Sequence, residues 1–277
     1  MENKKLPEFD IFKTSGDHRF LLTSGPDYIS NVLRGGALWR TRTINISQRL
    51  LEFVSAPVIY DIGANLGSWT IPVGNYFQHR NGIIYSFEPQ RQVYNQLCGN
   101  IFLNKLKNCY TFNSAIGDYD GEIDVPIFDP LTDSNLGAVS LDKTVFSEQR
   151  PGSAPPPTEK RTVNTLDTLD MPHASLLKID VQGMEAEVLK GGRKWIQASG
   201  YPYIIFSTWG DYMKSTIEKN KQLFSLLQDE MGYELLQIDN FYVAQHKSNE
   251  GGKLVMTPNG YIIKRETSQF GMDFLSF

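Results

Sequence analysis

Val58-Ile59-Tyr60-Asp61-Ile62-Gly63-Ala64-Asn65-Leu66-Gly67-Ser68-Trp69 decides how this chain folds. An apolar run suited to a strand ends in a carboxylate, passes through two glycines and enters a helical pattern near Ser68. Glycine at 63 and 67 lets the backbone turn tightly and approach a ligand closely. The opening turn of the helix then aims unpaired amides and the positive end of its dipole at the same place. This is a nucleotide-cradling turn, with Gly63, Ala64, Asn65 and Gly67 as its candidate contacts. A dinucleotide fingerprint starting at Gly63 asks for glycine at 65 and 68, where the chain has Asn65 and Ser68, so a pyrophosphate ligand is disfavoured. A cofactor without phosphates needs less of a bare-backbone anion nest, and Asp61 at the strand end suits a ligand carrying an ammonium and a sulfonium. S-adenosylmethionine meets both conditions.

The surrounding sequence extends this unit in both directions. Gly82-Ile83-Ile84-Tyr85-Ser86-Phe87-Glu88-Pro89 is a second strand ending in an acid, and Glu88 stands where a Rossmann-type fold offers a carboxylate to the ribose hydroxyls. A third strand is expected over 110–115, and its small residues Ser114 and Ala115 let a flat adenine approach, although a turn at Gly117-Asp118 explains them equally well. Strands at 58–62, 83–87, 176–181 and 203–206 alternate with helices at 68–77, 91–103, 184–196 and 215–231, which predicts parallel βαβ units. Tyr233–Ile238 and Phe241–Gln245, separated by Asp239-Asn240, read as a hairpin closing the sheet. The expected class is α/β, a Rossmann-like, doubly wound and mostly parallel sheet with a final antiparallel strand. Nicotinamide-binding domains are generally all parallel, so the hairpin favours the sulfonium cofactor independently of the glycine turn.

Three blocks in register then resemble one family: Asp61-Ile-Gly-Ala-Asn-Leu-Gly67, Phe87-Glu88-Pro89, and Leu177-Lys178-Ile179-Asp180-Val181-Gln182-Gly183-Met184-Glu185 running on to Leu189-Lys-Gly-Gly192. Together they resemble the FkbM-type S-adenosylmethionine-dependent methyltransferases, over roughly residues 20 to 246. The resemblance implies a class I methyltransferase fold and O-methylation of sugars, glycans or polyketide-like metabolites. Two positions differ from the family pattern: Gln182 replaces a common glutamate, and Ser207 stands where the fifth strand commonly ends in one.

The candidate catalytic residues are Asp180, Lys178 and Glu185. Asp180 closes the fourth strand beside the expected methyl position, where it serves as proton acceptor, orienting group, cofactor contact or cap of the following helix. Lys178, two residues earlier, points to the same face of an apolar strand and must find a partner. It is either an acceptor-site base or anchor, or half of a buried ion pair with Asp61 or Asp180. Glu185 falls in a first helical turn, where the dipole stabilises a carboxylate regardless of function, so its catalytic role is implied by the resemblance.

Composition narrows the partners. The 277 residues carry a net charge of −4 with both signs interspersed, and the 12% of aromatic residues form no basic stacking strip, so nucleic acid is disfavoured. No window reaches the roughly 18 apolar residues that span a bilayer, and the first residues have no apolar signal core. A cytoplasmic protein acting on a small-molecule or glycan acceptor is expected, without membrane insertion. Cys98 and Cys109 read as free buried thiols, and the four histidines are too scattered for a metal site.

The chain divides into a partly helical N-terminal segment, 1–57; the cofactor-binding methyltransferase domain, 58–246; and a C-terminal extension, 247–277. Residues 1–17 read as loosely held and 28–53 as mainly helical. Arg34-Gly-Gly-Ala-Leu-Trp39-Arg40 is either a turn with Trp39 packed on the core or a lid over the cofactor. Within the domain, an inserted hairpin built from 121–128 and 135–141 leads into a proline-rich loop, the whole insertion covering about 121–161.

Overall fold

The computed structural model describes residues 8–209, 213–249, 252–258, 260–264 and 274–276. β1 (Phe9–Lys13) and β2 (Arg19–Thr23) pair as an antiparallel hairpin, followed by α1 (Tyr28–Arg34) and α2 (Thr41–Leu50). The strand at Phe9–Lys13 corrects the expectation of a loose start. Most of its side chains are exposed, so the ladder to β2 holds it rather than its own burial. β2 is anchored in turn by α4 (Arg91–Leu103), whose Asn100 accepts from the Leu21 amide and whose Gln96 donates to the Leu21 carbonyl.

β3 (Val58–Ile62), α3 (Thr70–Phe77), β4 (Ile83–Phe87), α4 and β5 (Cys109–Phe112) make the expected parallel units. The third strand stops at Phe112, not at residue 115: β6 (Ala115–Ile116) leaves the sheet and pairs with β8 (Thr158–Asn164), which also pairs antiparallel with β7 (Gly121–Pro126). The strand expected over 135–141 is instead a 3₁₀ turn, Leu136–Ala138, entered through Asn135 in a left-handed conformation. The helix α5 (Lys143–Gln149), capped by Asp142, was not foreseen.

β9 (Leu176–Ile179) leads to α6 (Glu185–Lys190) and α7 (Arg193–Ala198), two helices where one was expected. They break at Gly191-Gly192 because the chain presses against the loop after β6: a Cβ on Gly191 would lie 1.9 Å from the Gly117 carbonyl oxygen. β10 (Tyr203–Ser207), α8 (Lys214–Ser225), β11 (Tyr233–Ile238) and β12 (Phe241–His246) complete the core, and β13 (Lys253–Thr257), β14 (Gly260–Lys264) and β15 (Phe274–Ser276) form a separate antiparallel sheet.

The seven-stranded sheet runs β11-β12-β10-β9-β3-β4-β5, parallel except at β12, which is antiparallel to both neighbours. Alternation along the strands feeds two cores. Tyr60, Ile62, Leu177 and Ile179 face α6, α7 and α8, whereas Ile59, Leu176, Tyr203 and Ile205 face α2 and α3. All four residues of β9 are buried, as cover on both faces requires. Each fully buried Leu, Ile or Phe contributes roughly 1.5–3 kcal/mol. The chain leaves β3 in one direction for β4 and β5 and returns on its other side through β9 and β10, so a crevice opens between the carboxyl ends of β3 and β9, the place where such sheets bind ligands. Cys98 and Cys109 are free thiols, half-buried rather than buried. Among the described residues, no helix is long and apolar enough to cross a membrane.

Candidate active site

The turn after β3 is fixed by what it touches. Gly63 sits at φ 81°, and a Cβ there would meet the Asp180 carbonyl oxygen at 2.1 Å, so only glycine lets β3 and β9 come together at the crevice. The amides of Gly63 and Ala64 both donate to the Phe87 carbonyl. Gly67, at φ 91°, lies against α4, where an added Cβ would come within 2.8 Å of Leu97. Arg40, Asn65 and Gln182 all line the crevice with left-handed backbones, φ 53°, 52° and 61°. Such conformations are costly for residues with a Cβ and gather where the surrounding structure dictates side-chain direction.

Asp61 does not face a ligand, contrary to the expectation for this acid. It is 0% exposed beneath the turn, where one oxygen accepts from the Thr70 hydroxyl and the other lies 2.8 Å from the Lys178 ammonium. β3 and β9 are in register at this pair, so both side chains stand on the same face. Lys178 also donates to the Gly63 carbonyl at 2.8 Å. Of its two readings the geometry realises the ion pair, with Asp61 rather than Asp180 as partner.

Glu88, at the end of β4, is 4% exposed and accepts the amide of Asn65 on one oxygen and that of Gln90 on the other, each at 2.9 Å. Each carboxylate oxygen keeps a further lone pair for a ligand hydroxyl. Burial pushes the carboxyl up to about 7, against the pull of the two amides. Glu88 lines a cleft of about 660 Å³ with Gly63, Asn65, Ser114, Ala115, Ile116 and Asp180. Its two acids, Glu88 and Asp180, set among small and apolar walls, suit the adenosine end of S-adenosylmethionine. Ser114, in the bend after β5, and Ala115, in β6 of another sheet, both reach the cleft.

Asp180 follows β9 and caps no helix: α6 starts at Glu185 with no side-chain cap. One Asp180 oxygen accepts from Gln182 at 2.8 Å and from Ser207 at 2.9 Å, and the other lies 3.3 Å from Arg40. Burial alone would raise its carboxyl, but the Arg40 guanidinium, the Lys178 ammonium and the Ser207 hydroxyl together hold it below the usual carboxylate range. Glu185 is shifted the opposite way, up to about 7, by burial first and by the charge of Asp180 as well. Its carboxylate closes the loop between them by accepting the Val181 amide at 3.1 Å and the Gly183 amide at 3.0 Å.

Two further cavities join the first. One, of about 510 Å³, lies between the α1–α2 turn and the ends of β3, β9 and β10; the other is walled by Tyr28, Trp39 and Trp209. The 34–40 segment is the expected turn, but Trp39 is half-buried against Tyr28, with ring centroids 5.4 Å apart, and lines these cavities instead of packing into the core. Sequence reasoning had not assigned Arg40 to the site; its one signal was the tryptophan between glycines and arginines. Asn135 and Gly137, also lining, gave none. Among the described residues, no group of three His, Cys, Asp or Glu side chains is gathered to hold a metal.

Comparison with known proteins adds the following. The methyltransferase FkbM domain family matches residues 61–235. No curated protein matches the chain. Among solved structures, a methyltransferase FkbM from Methylobacillus flagellatus KT aligns at 16% identity with a TM-score of 0.47, over 69% of this chain and 44% of that one. A precorrin-6y C5,15-methyltransferase from Geobacter metallireducens GS-15 aligns at 16% identity and a TM-score of 0.46, over 76% of this chain and 91% of that one. M. jannaschii TYW2 in complex with AdoMet aligns at 16% identity and a TM-score of 0.36, over 87% and 84%. The chain thus spans less than half the length of the Methylobacillus protein.

Proposed function

Since the chain belongs to the FkbM methyltransferase family, with S-adenosylmethionine as its cofactor, we propose that it methylates a hydroxyl of a sugar or glycan and that Asp180 meets the acceptor oxygen. The observation that carries this reading is the position of Asp180, which lines the Glu88 cleft, the cavity beside it and the aromatic-walled cavity. A cofactor held on the Glu88 side and an acceptor held on the aromatic side come together there.

When bound, the cofactor supplies a methyl group already activated by its positively charged sulfur. The chain has to align the acceptor oxygen and take up its proton. Asp180 stays ionised at neutral pH, because its neighbours hold its carboxyl low. A carboxylate of that kind orients a hydroxyl well and is a weak proton sink. Its free approach is through the oxygen facing Arg40, since Gln182 and Ser207 occupy the other. Glu185 lines the same aromatic-walled cavity, and its carboxyl, near 7, is matched to take up a proton at neutral pH. Lys178, paired with Asp61 and the Gly63 carbonyl, holds the strand ends in this scheme.

The acceptor class rests on the cavity wall. Tyr28, Trp39 and Trp209 line it with aromatic residues suited to the apolar side of a sugar ring, and Asn135 and Asn240 line it with amides suited to its hydroxyls. Mass spectrometry after incubation with labelled cofactor and a panel of glycans tests the reading. Label should appear on a sugar oxygen, and Asp180→Asn should slow transfer roughly 100-fold or more while keeping cofactor affinity. Label only on a peptide, a nitrogen or a non-sugar metabolite would replace the acceptor class. Near-normal turnover in Asp180→Asn would remove the role given to that residue, and no transfer to any acceptor would favour a catalytically silent binding module.

A further inference from the structure

Two buried hydrogen-bond donors on the wall of the 510 Å³ cavity have no hydrogen-bond partner among the described residues: Arg40 Nε and Trp69 Nε1. Trp69 is 4% exposed, so its indole N–H has no access to bulk water. Unsatisfied donors in a folded interior are uncommon, and two on one cavity wall point to a ligand atom that completes them. Arg40 is also held at φ 53° at the start of α2, and its side chain reaches Asp180 at the end of β9. Its guanidinium is engaged by Asp180 through a single nitrogen at 3.3 Å.

The other charges on this cavity are accounted for. Lys178 is neutralised by Asp61, and Asp180 is met by Arg40, Gln182 and Ser207. What Arg40 Nε and Trp69 Nε1 lack is an acceptor, and a carboxylate answers an arginine and an indole at once. The cavity shares Gly63, Asn65 and Asp180 with the Glu88 cleft, so a group entering it can belong to a molecule seated in that cleft. We propose that Arg40 and Trp69 bind the carboxylate of the cofactor's amino-acid tail, making the N-terminal segment part of the cofactor site; this rests on the assignment of S-adenosylmethionine. Arg40 lies outside the 61–235 stretch that matches the family.

Calorimetry with two ligands separates this proposal from the assignment beneath it. S-adenosylhomocysteine carries the tail, whereas 5′-methylthioadenosine has the adenosine and sulfur without it. Wild-type protein should bind S-adenosylhomocysteine at least about 30-fold more tightly, as charge-assisted hydrogen bonds to a carboxylate allow. Arg40→Met should cost S-adenosylhomocysteine roughly 10-fold or more and Trp69→Phe about 5-fold, with methylthioadenosine changed less than about twofold in either. Trp69→Phe removes only the N–H edge, and Arg40→Lys keeps a cation beside Asp180 while removing Nε, so the test survives if Arg40→Met does not fold. Equal losses for both ligands, or no loss for S-adenosylhomocysteine, would overturn the proposal. So would equal wild-type affinities for the two. Wild-type protein that binds neither nucleoside would overturn the cofactor assignment as well.

Discussion

Glu88 makes cofactor binding depend on pH in a way whose size follows from its surroundings. Burial pushes its carboxyl up to about 7, and only the ionised form offers both oxygens to ribose hydroxyls. Affinity should therefore be greatest above pH 7 and fall as pH drops through it, by about 2-fold at pH 7 and about 10-fold at pH 6 relative to the alkaline limit. Binding at pH 7 should release about half a proton, which calorimetry in buffers of different ionisation enthalpy measures directly. The free protein runs in the opposite direction. A carboxyl raised above its unfolded value contributes stability that is present below about 4.5 and lost as pH rises through about 7, here at most about 3 kcal/mol. The thermal shift given by S-adenosylhomocysteine should therefore widen between pH 6 and 8, because the free state weakens while binding strengthens. Glu88→Gln should flatten the binding profile and weaken affinity by about 1.5–3 kcal/mol at pH 8. A wild-type affinity that is flat from pH 5.5 to 8.5, or a proton taken up on binding, would refute the reasoning.

Two further outcomes test the scaffold beneath the site. Lys178→Met should lower stability in urea unfolding by about 3–5 kcal/mol, because it strands a fully buried Asp61, and adding Asp61→Asn should recover much of the loss; a drop below about 1 kcal/mol would mean the pair holds nothing. Gly63→Ala should both lower the melting temperature and weaken S-adenosylhomocysteine, since a methyl group cannot share space with the Asp180 carbonyl oxygen 2.1 Å away; an unchanged melting curve would contradict the packing of β3 against β9.

The parts of the fold that were legible in the sequence are those governed by local periodicity. β3, β4 and α4 lie where apolar runs and turn residues put them, as does the β11–β12 hairpin, because burial on both faces of a parallel sheet leaves continuous apolar segments between polar breaks. The misreadings share one cause, contacts made across long sequence distances. Nothing near Gly191 says that the Gly117 carbonyl will press against it and split a helix. Nothing near Ala115 says that its partner is Val163 rather than a residue of β4. The apolar pattern at 135–141 gave a strand on paper, but Gly137 packs against the Asn65 side chain, and the left-handed Asn135 ends any extended run before it starts.

The same distinction separates the parts of the site. Glu88, Ser114, Ala115 and Asp180 stand at strand ends or just beyond them, and topology alone brings strand ends to a crevice. Asp61 stood at a strand end too, yet its register opposite Lys178 turned it into a structural acid, and register is not written in a single strand. The two departures from the family pattern become intelligible only in three dimensions. Gln182 and Ser207, far apart in sequence, donate to the same oxygen of Asp180, while Arg40 approaches the other. A glutamate at either position would set a second negative charge against a buried carboxylate and push its pKa up. With neutral donors there and a guanidinium opposite, Asp180 is kept ionised and fixed in direction. Losing the strand-five glutamate therefore need not mean losing chemistry at this site, because Ser207 joins Gln182 in holding the one carboxylate that all three cavities share.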